Sequence, residues 1–453
     1  MTSKIVVNNI ESDSGINTVT IIGDVSVGSS ITATDITATH HGSGADLTNL
    51  PAANLTGTLP AIDGSNLTGV GASFGNSSVN TSGIITATSF VPTTGQLSHR
   101  NLIINGDMNI AQRGTSSTSN GYNTVDRFNA SQGSTDESPT FEQVDVASGT
   151  TPYTLGFRKA FKITNGNQTS GPQNGSEIQV LYNIEAQDIV QSGWNYKSSS
   201  SFITWSFWIR SSIATNFYGY LRTYDNTAIG YAFETGNLSA NTWTKIVKTI
   251  PGNANIDINN DNGVGLQIRL LGYIGTAYSD NSTPLHTWTT YSSSARVPEP
   301  PTTWFNTNDA TLEITGYQVE VGSVATPFEH RKYSEQLLLC QRYYRVIKDG
   351  SEDNGGYIGY MSYNYDGNSV VTQINFIPEM RATPTVASTS GTNYYRFYRN
   401  SGYVDINAMD ALNGMGRKGG AFNNSDSGNG TAGQSGGIVL NNSSAKIAFD
   451  AEL

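Results

Sequence analysis

Tyr357, Tyr360, Tyr363, Tyr365, Tyr394, Tyr395, Tyr398 and Tyr403 crowd one stretch of the sequence, with Arg396 and Arg399 between them. Phenol rings offer broad contact area at low side-chain entropy cost. A sugar presents C–H-rich faces that stack on such rings, and its hydroxyls pair with amides and carboxylates. The chemistry this predicts is reversible glycan binding. Along "YYRFY", strand alternation sets Tyr394, Arg396 and Tyr398 on one face, Tyr395 and Phe397 on the other. One of those faces must be core. The candidate binding residues are therefore Tyr357, Tyr360, Tyr363, Tyr394, Arg396, Tyr398 and Tyr403.

Two places could hold a metal. "DINNDNG" spaces Asp257, Asn259 and Asp261 as the oxygen ligands of a calcium loop are spaced. Such a loop also wants Gly where Asn262 stands and an acid where Ile268 stands, so a plain turn is the competing reading. His40 and His41 are adjacent; around a threefold axis they could bring imidazoles together for a transition metal, although one ring of each pair would face outward. The expectation is no cofactor, with calcium or an axial transition metal as the alternatives.

Bond-breaking chemistry finds little support. Glu177, Glu185 and Asp188 could serve a glycosidase, but any polar chain offers carboxylates. No Ser/His/Asp or phosphate-loop signature occurs, and "GDVSVGSS" lacks the lysine of a phosphate loop. Cys340 sits on a helical stripe with Leu337 and reads as buried rather than nucleophilic. The chain is expected not to be an enzyme.

The elements that must position these residues are strands. Charged residues make up 13% of the 453, against about 25% in an ordinary soluble protein. Aromatics make up 10%, which a disordered chain would lack. Short β-branched runs between Gly, Asn and Pro clusters predict an all-β protein. The net charge of −11 argues against nucleic-acid binding and against docking on an anionic membrane. One cysteine allows no disulfide within the chain. The opening "MTSKIVVNNIESDSG" reads as no secretory signal, and no apolar run approaches the ~18 residues of a membrane span.

Three stretches are distinguishable. Residues 1–99 carry no Lys or Arg from position 5 to 99, repeat "ITAT", and place Leu47, Leu55 and Leu67 in near-identical polar units. Such thin units bury nothing alone, so they are expected to stack on sister chains as a trimeric β shaft, with those leucines, Leu337 and Cys340 at the seam. A flexible linker is the alternative. Residues 100–332 hold strands such as "SFITWSFWIRSS", large on both faces, which predict a β-sandwich jelly roll of about eight strands with Trp205, Trp208 and Trp243 in its core. Residues 333–453 begin with a short helix near 334–345 that Ser334 can cap, and continue as a β-rich tip. The Gly-rich run 414–437 is either a mobile loop or a functional tip.

Certain strings resemble a known group. "NLIINGDMNIAQRG" with "DRF", then "ITGYQVEVGSVATPFEHRKYSEQLLLCQRYYRV" and "IPEMRATPTV", resemble the carbohydrate-binding-module-like domain of phage tail fibres and the start of the fibre tip. "NLTGTLPAIDGSNLTGV" is similar to repeats in structural proteins of marine tailed phages. The resemblance implies a homotrimeric virion appendage, made in the host cytoplasm, that docks to a tail or other virion protein through its N-terminal region. It would bind a host-surface polysaccharide or lipopolysaccharide, without nucleic acid and without membrane insertion. A purely structural fibre or collar component and a polysaccharide depolymerase are the alternatives.

Overall fold

Period-two alternation decides how the middle of the chain folds. In the strand Phe202–Ser211, Ile203, Trp205, Phe207 and Ile209 are all fully buried, while Ser206, Trp208 and Arg210 point to the opposite face. The computed structural model describes residues 98–453 apart from Ser401 and residues 425–429, plus Val6, Val7, Asn8, Thr20, Ile22, Asp24, Ser26 and Val27. The expected shaft, with Leu47, Leu55, Leu67, His40 and His41, lies outside the described residues, as does the side chain of Tyr360. The chain divides into two units, and every strand and helix among the described residues belongs to the second, Ala87–Leu453.

The protein is all-β there. Two six-stranded antiparallel sheets face each other. The first runs Ser116–Ser117, Thr140–Asp145, Lys159–Thr164, Thr311–Val321, Phe202–Ser211, Thr244–Pro251. The second runs Trp288–Thr290, Ile229–Asn237, Asn216–Thr223, Val264–Ile274, Glu177–Glu185, Phe128–Gly133. Rings join the two inner faces: Trp205 of the first sheet meets Phe233 of the second edge-on at 4.8 Å, and Tyr317 meets Phe128 at 5.5 Å. The order of strands, with distant segments as neighbours, is that of a jelly-roll sandwich. It has twelve strands rather than the expected eight, because short edge strands such as Ser116–Ser117 and Trp288–Thr290 join the sheets.

The remaining residues form a three-stranded sheet, with Lys446–Asp450 between Tyr344–Asp349 and Thr385–Val386, and a seven-stranded sheet. The latter runs Gly402–Ile406, Tyr395–Arg399, Ser435–Leu440, Tyr357–Asn364, Val370–Asn375, Gly419–Asn423, Ala411–Gly416. Phe376, Phe397, Phe422 and Phe449 fill the core between them. Among the described residues, no helix is long and apolar enough to cross a membrane.

Several expectations need correction. The helix is Tyr333–Gln341, shorter than 334–345, because Tyr344 enters the strand that pairs with Lys446–Asp450. Its N-cap is Lys332, with no side-chain cap bond, so Ser334 does not cap it. Among the described residues, three further short helical turns occur, at Thr151–Thr154, Ala186–Gln191 and Gly350–Asp353. Cys340, expected at a threefold seam, is 1% exposed within one chain and has no surface left for a sister subunit; Leu337 is half-buried. Burial pushes the Cys340 thiol well above its usual range. Trp205 is core as expected, but Trp208 and Trp243 lie half-buried in a separate cluster with Phe157 and Phe328, on the outer face of the first sheet.

A charged joint ties the last residues of the chain to the sandwich. The Arg127 guanidinium, 1% exposed, pairs with Glu452, 5% exposed. It also donates to the Asn183 carbonyl at 2.8 Å and lies 3.4 Å from the centre of the Tyr343 ring. Arg113 reaches Asp450 at 2.9 Å and Glu452 at 3.3 Å while stacking 3.6 Å over Tyr344. Arg342 holds Glu185 with two bonds of 3.0 Å. Arg381 donates to the carbonyls of Asn262, Ala451 and Glu452. Beside them Asp126 accepts from Gln112, yet burial pushes its carboxyl up to about 6.

Removing one partner of a buried pair leaves the other charge uncompensated. Glu452→Ala is expected to lower stability by about 3–5 kcal/mol in urea unfolding, and Arg127→Met with Glu452→Leu to lose clearly less. Equal losses would show that the pair matters only through packing.

Candidate functional site

The hairpin of Tyr395–Arg399 and Gly402–Ile406 sits at the edge of the seven-stranded sheet. Its inner residues belong to the core: Tyr395, Phe397 and Ile406 are fully buried, and the Tyr395 hydroxyl donates to the Lys446 carbonyl at 3.0 Å. Its outer residues pair across the strands, Arg396 with Asp405 and Tyr398 with Tyr403. Arg396 grips Asp405 with bonds of 2.6 and 3.0 Å, and its guanidinium lies 4.0 Å from the centre of the Tyr403 ring. The carboxylate bonds raise the Arg396 pKa further, so it stays cationic. The Tyr398 and Tyr403 rings meet edge-on at 6.0 Å, and they remain 42% and 58% exposed.

The neighbouring strand, Ser435–Leu440, supplies room. Gly437 stands opposite Tyr398, and a Cβ there would come within 2.3 Å of the Tyr357 ring. Gly436 faces inward, where a Cβ would meet Phe397 at 2.7 Å. The paired glycines thus let one ring lie on each side of the sheet. Val439, opposite both Arg396 and Tyr357, is covered to 4% exposure. Tyr403, Tyr398 and Tyr357 consequently share the outer face, and Tyr363, opposite Ser435, joins them half-buried. Beside the tyrosine pair lies an open depression of 430 Å³, lined by Tyr398, Arg399, Asn400, Tyr403 and Ser435.

The depression combines aromatic and hydrogen-bonding groups. Ring faces, phenol and serine hydroxyls, an amide and the Arg399 guanidinium line the depression, and among the described residues no carboxylate does. Asp405, the nearest acid in register, is held by Arg396.

The other residues singled out from the sequence fall elsewhere. Tyr394 lies just before the strand, half-buried against the core with its ring over Gly391. Asp257 is bound by Lys197 at 2.7 Å and by Asn226 at 2.6 Å, which lowers its pKa. Asn259 donates to Asp225, and Asp261 accepts from the Gly263 amide. The segment with the calcium spacing folds as an irregular bend in which both Asp257 oxygens are taken, by Lys197 and Asn226. Of the three candidate acids for hydrolysis, Glu185 is held by Arg342, Glu177 lies 3.6 Å from Arg296, and burial pushes Asp188 up to about 6.

Sequence reasoning missed a polar network on the outer face of the second sheet. Arg269 donates to Gln267 at 2.5 Å and to Gln179 at 3.0 Å. Gln267 donates to Asn183, and Asn183 to the Leu453 carbonyl. Alternating Gln and Arg in "GLQIRLLGY" was the available signal. The network is satisfied internally and runs into the joint, so it serves the scaffold.

No protein family and no curated protein matches the chain. Among solved structures, the chain is similar to a family 4 carbohydrate-binding module at 14% identity, TM-score 0.26, covering 48% of this chain and 98% of that one. It is similar to the enzymatically active domain of bacteriophage CBA120 tailspike protein 4 at 13% identity, TM-score 0.25, over 49% of this chain and 21% of that one. A tandem family 22 module from Paenibacillus barcinonensis Xyn10C aligns at 7% identity, TM-score 0.25, over 81% of this chain and all of that one. At these TM-scores none of the likenesses bears on function, which must be read from this chain's own residues.

The hairpin should separate into two classes of substitution. Tyr398→Ala and Tyr403→Ala are expected to change stability by less than about 1 kcal/mol, and Phe397→Ala to cost about 3–5 kcal/mol in chemical unfolding. Large losses from the exposed tyrosines would mean that they are structural.

Proposed function

We propose that the chain is the adhesive part of a tail fibre, binding a host-surface polysaccharide or lipopolysaccharide without cleaving it. The observation that carries this reading is the Tyr398–Tyr403 pair, held in place by Arg396 and Asp405 yet open to solvent. The fold has no need of two exposed rings fixed side by side, whereas a pyranose has a matching apolar face. The virion setting is supported by the strings that resemble tail-fibre proteins.

Self-association belongs to the same reading. Residues 1–99 would supply a trimeric shaft through Leu47, Leu55 and Leu67 and dock to a virion protein. Three weak sites on one fibre then multiply avidity through effective concentration.

Purified protein should block adsorption of the phage to its host. Tyr398→Ala with Tyr403→Ala should weaken that block about tenfold or more, since each stacked ring is worth about 0.5–1.5 kcal/mol. Undiminished blocking would remove this site. Sedimentation equilibrium should give the mass of three chains; a single chain would remove the shaft.

A further inference from the structure

A second cavity lies on the sandwich itself, far in sequence from the tyrosine hairpin. It occupies 410 Å³ on the outer face of the first sheet, where the segment 325–330 crosses the strands. Phe157 and Phe328 meet edge-on at 4.9 Å to form one wall, with Trp208 beside them. Gly316, at a break in the register between Thr315 and Gln318, has φ +65, and a Cβ there would come within 2.7 Å of the Phe157 ring and 3.2 Å of Trp208. The glycine thus lets both rings close down on the backbone. The volume suits a monosaccharide-sized group.

Of the polar groups on this cavity, Thr326 donates to Glu320 at 2.6 Å and His330 lies 2.9 Å from the Leu155 carbonyl, whereas three others stand without partners among the described residues. Ser206 is 3% exposed, and its hydroxyl has no hydrogen-bond partner among the described residues. The Trp208 indole N–H has none either. Lys245 stands directly opposite Trp208 across the strands, and among the described residues it has no ion-pair partner. Elsewhere on this face lysines and arginines are paired: Lys162 with Glu142 at 3.0 Å and Arg210 with Glu313 at 3.1 Å. Among the described residues, no carboxylate lines the cavity. A hydroxyl, an N–H and an ammonium stand ready to donate beside aromatic walls. Their complement is a ring with an apolar face, several acceptor oxygens and a negative charge.

We propose that this cavity is a second glycan subsite, selective for a hexuronic acid residue whose carboxylate pairs with Lys245 while its ring packs on Trp208 and Phe328. The proposal rests on the glycan-binding reading above and extends it to acidic surface polysaccharides.

Calorimetric titration with tetragalacturonate and with its fully methyl-esterified form tests it, because the two probes share a backbone and differ in charge. The intact chain should bind the free acid about fivefold more tightly than the ester, as expected for one charge-assisted pair at a partly exposed site. Lys245→Gln should erase that preference, and Trp208→Ala should weaken both probes. Circular dichroism and the unfolding midpoint check that each variant is folded, and Lys245, being exposed, should leave both unchanged. Tyr398→Ala with Tyr403→Ala should leave the preference intact. Equal affinity for the two probes, no binding of the acid, or a preference that survives Lys245→Gln would each overturn the subsite. A preference lost in the tyrosine variant and kept in Lys245→Gln would place acid recognition at the hairpin, overturning this subsite while leaving glycan adhesion standing.

Discussion

A guanidinium that is 1% exposed must be neutralised where it stands, and Arg127 is neutralised by Glu452. Much else depends on that pairing. The pair brings the last residues of the chain onto the sandwich, so that Arg113, Arg381 and Asn183 can take up the remaining carboxylate and carbonyl oxygens. The strand Lys446–Asp450, which leads into Glu452, also centres the three-stranded sheet and carries Phe449 into the core beneath the seven-stranded one. A chain of contacts therefore runs from the jelly-roll strands to the floor of the tyrosine hairpin. Buried charge is costly to install, and the raised pKa of Asp126 is a sign of that cost. The return is a defined seat for the C-terminal strands on the sandwich.

Under the proposed reading, one strand of the hairpin would serve packing and recognition together. Period two gives Tyr395 and Phe397 to the core and Arg396 and Tyr398 to solvent. The inner pair, fully buried, anchors the strand and so holds the outer pair in place. Arg396 is held by Asp405 and backs Tyr403, which restricts the ring, so a ligand bound there as proposed would cost it little further entropy. The same division recurs on the sandwich, where Trp205 is core and its near neighbour Trp208 borders a cavity.

Local patterns are legible in the sequence. The all-β class, the jelly roll, the tip strands and the alternation along "YYRFY" all come from period-two hydrophobicity, which is a property of a few adjacent residues. The illegible features depend on distant partners. Tyr344 continues an apolar helical stripe, yet it leaves the helix because Asp450 pairs with it from the far end of the chain. Arg127 and Glu452 give no hint of each other in sequence. Gly436 and Gly437 read as loop composition, but they are strand residues whose missing side chains make room for Phe397 and Tyr357. Asp257, Asn259 and Asp261 have calcium-loop spacing, and Lys197, from another part of the chain, claims the first of them. Trp208 reads as core because both faces of its strand are bulky; the segment that half covers it lies more than a hundred residues later.

The central claim is that the outer face of the tyrosine hairpin contacts host glycan. Hydrogen–deuterium exchange of the intact protein with and without host surface polysaccharide tests it most directly. The account predicts slowed exchange in residues 395–406 and 435–440 when the polysaccharide binds. Binding that leaves those strands exchanging at their free rate would contradict it.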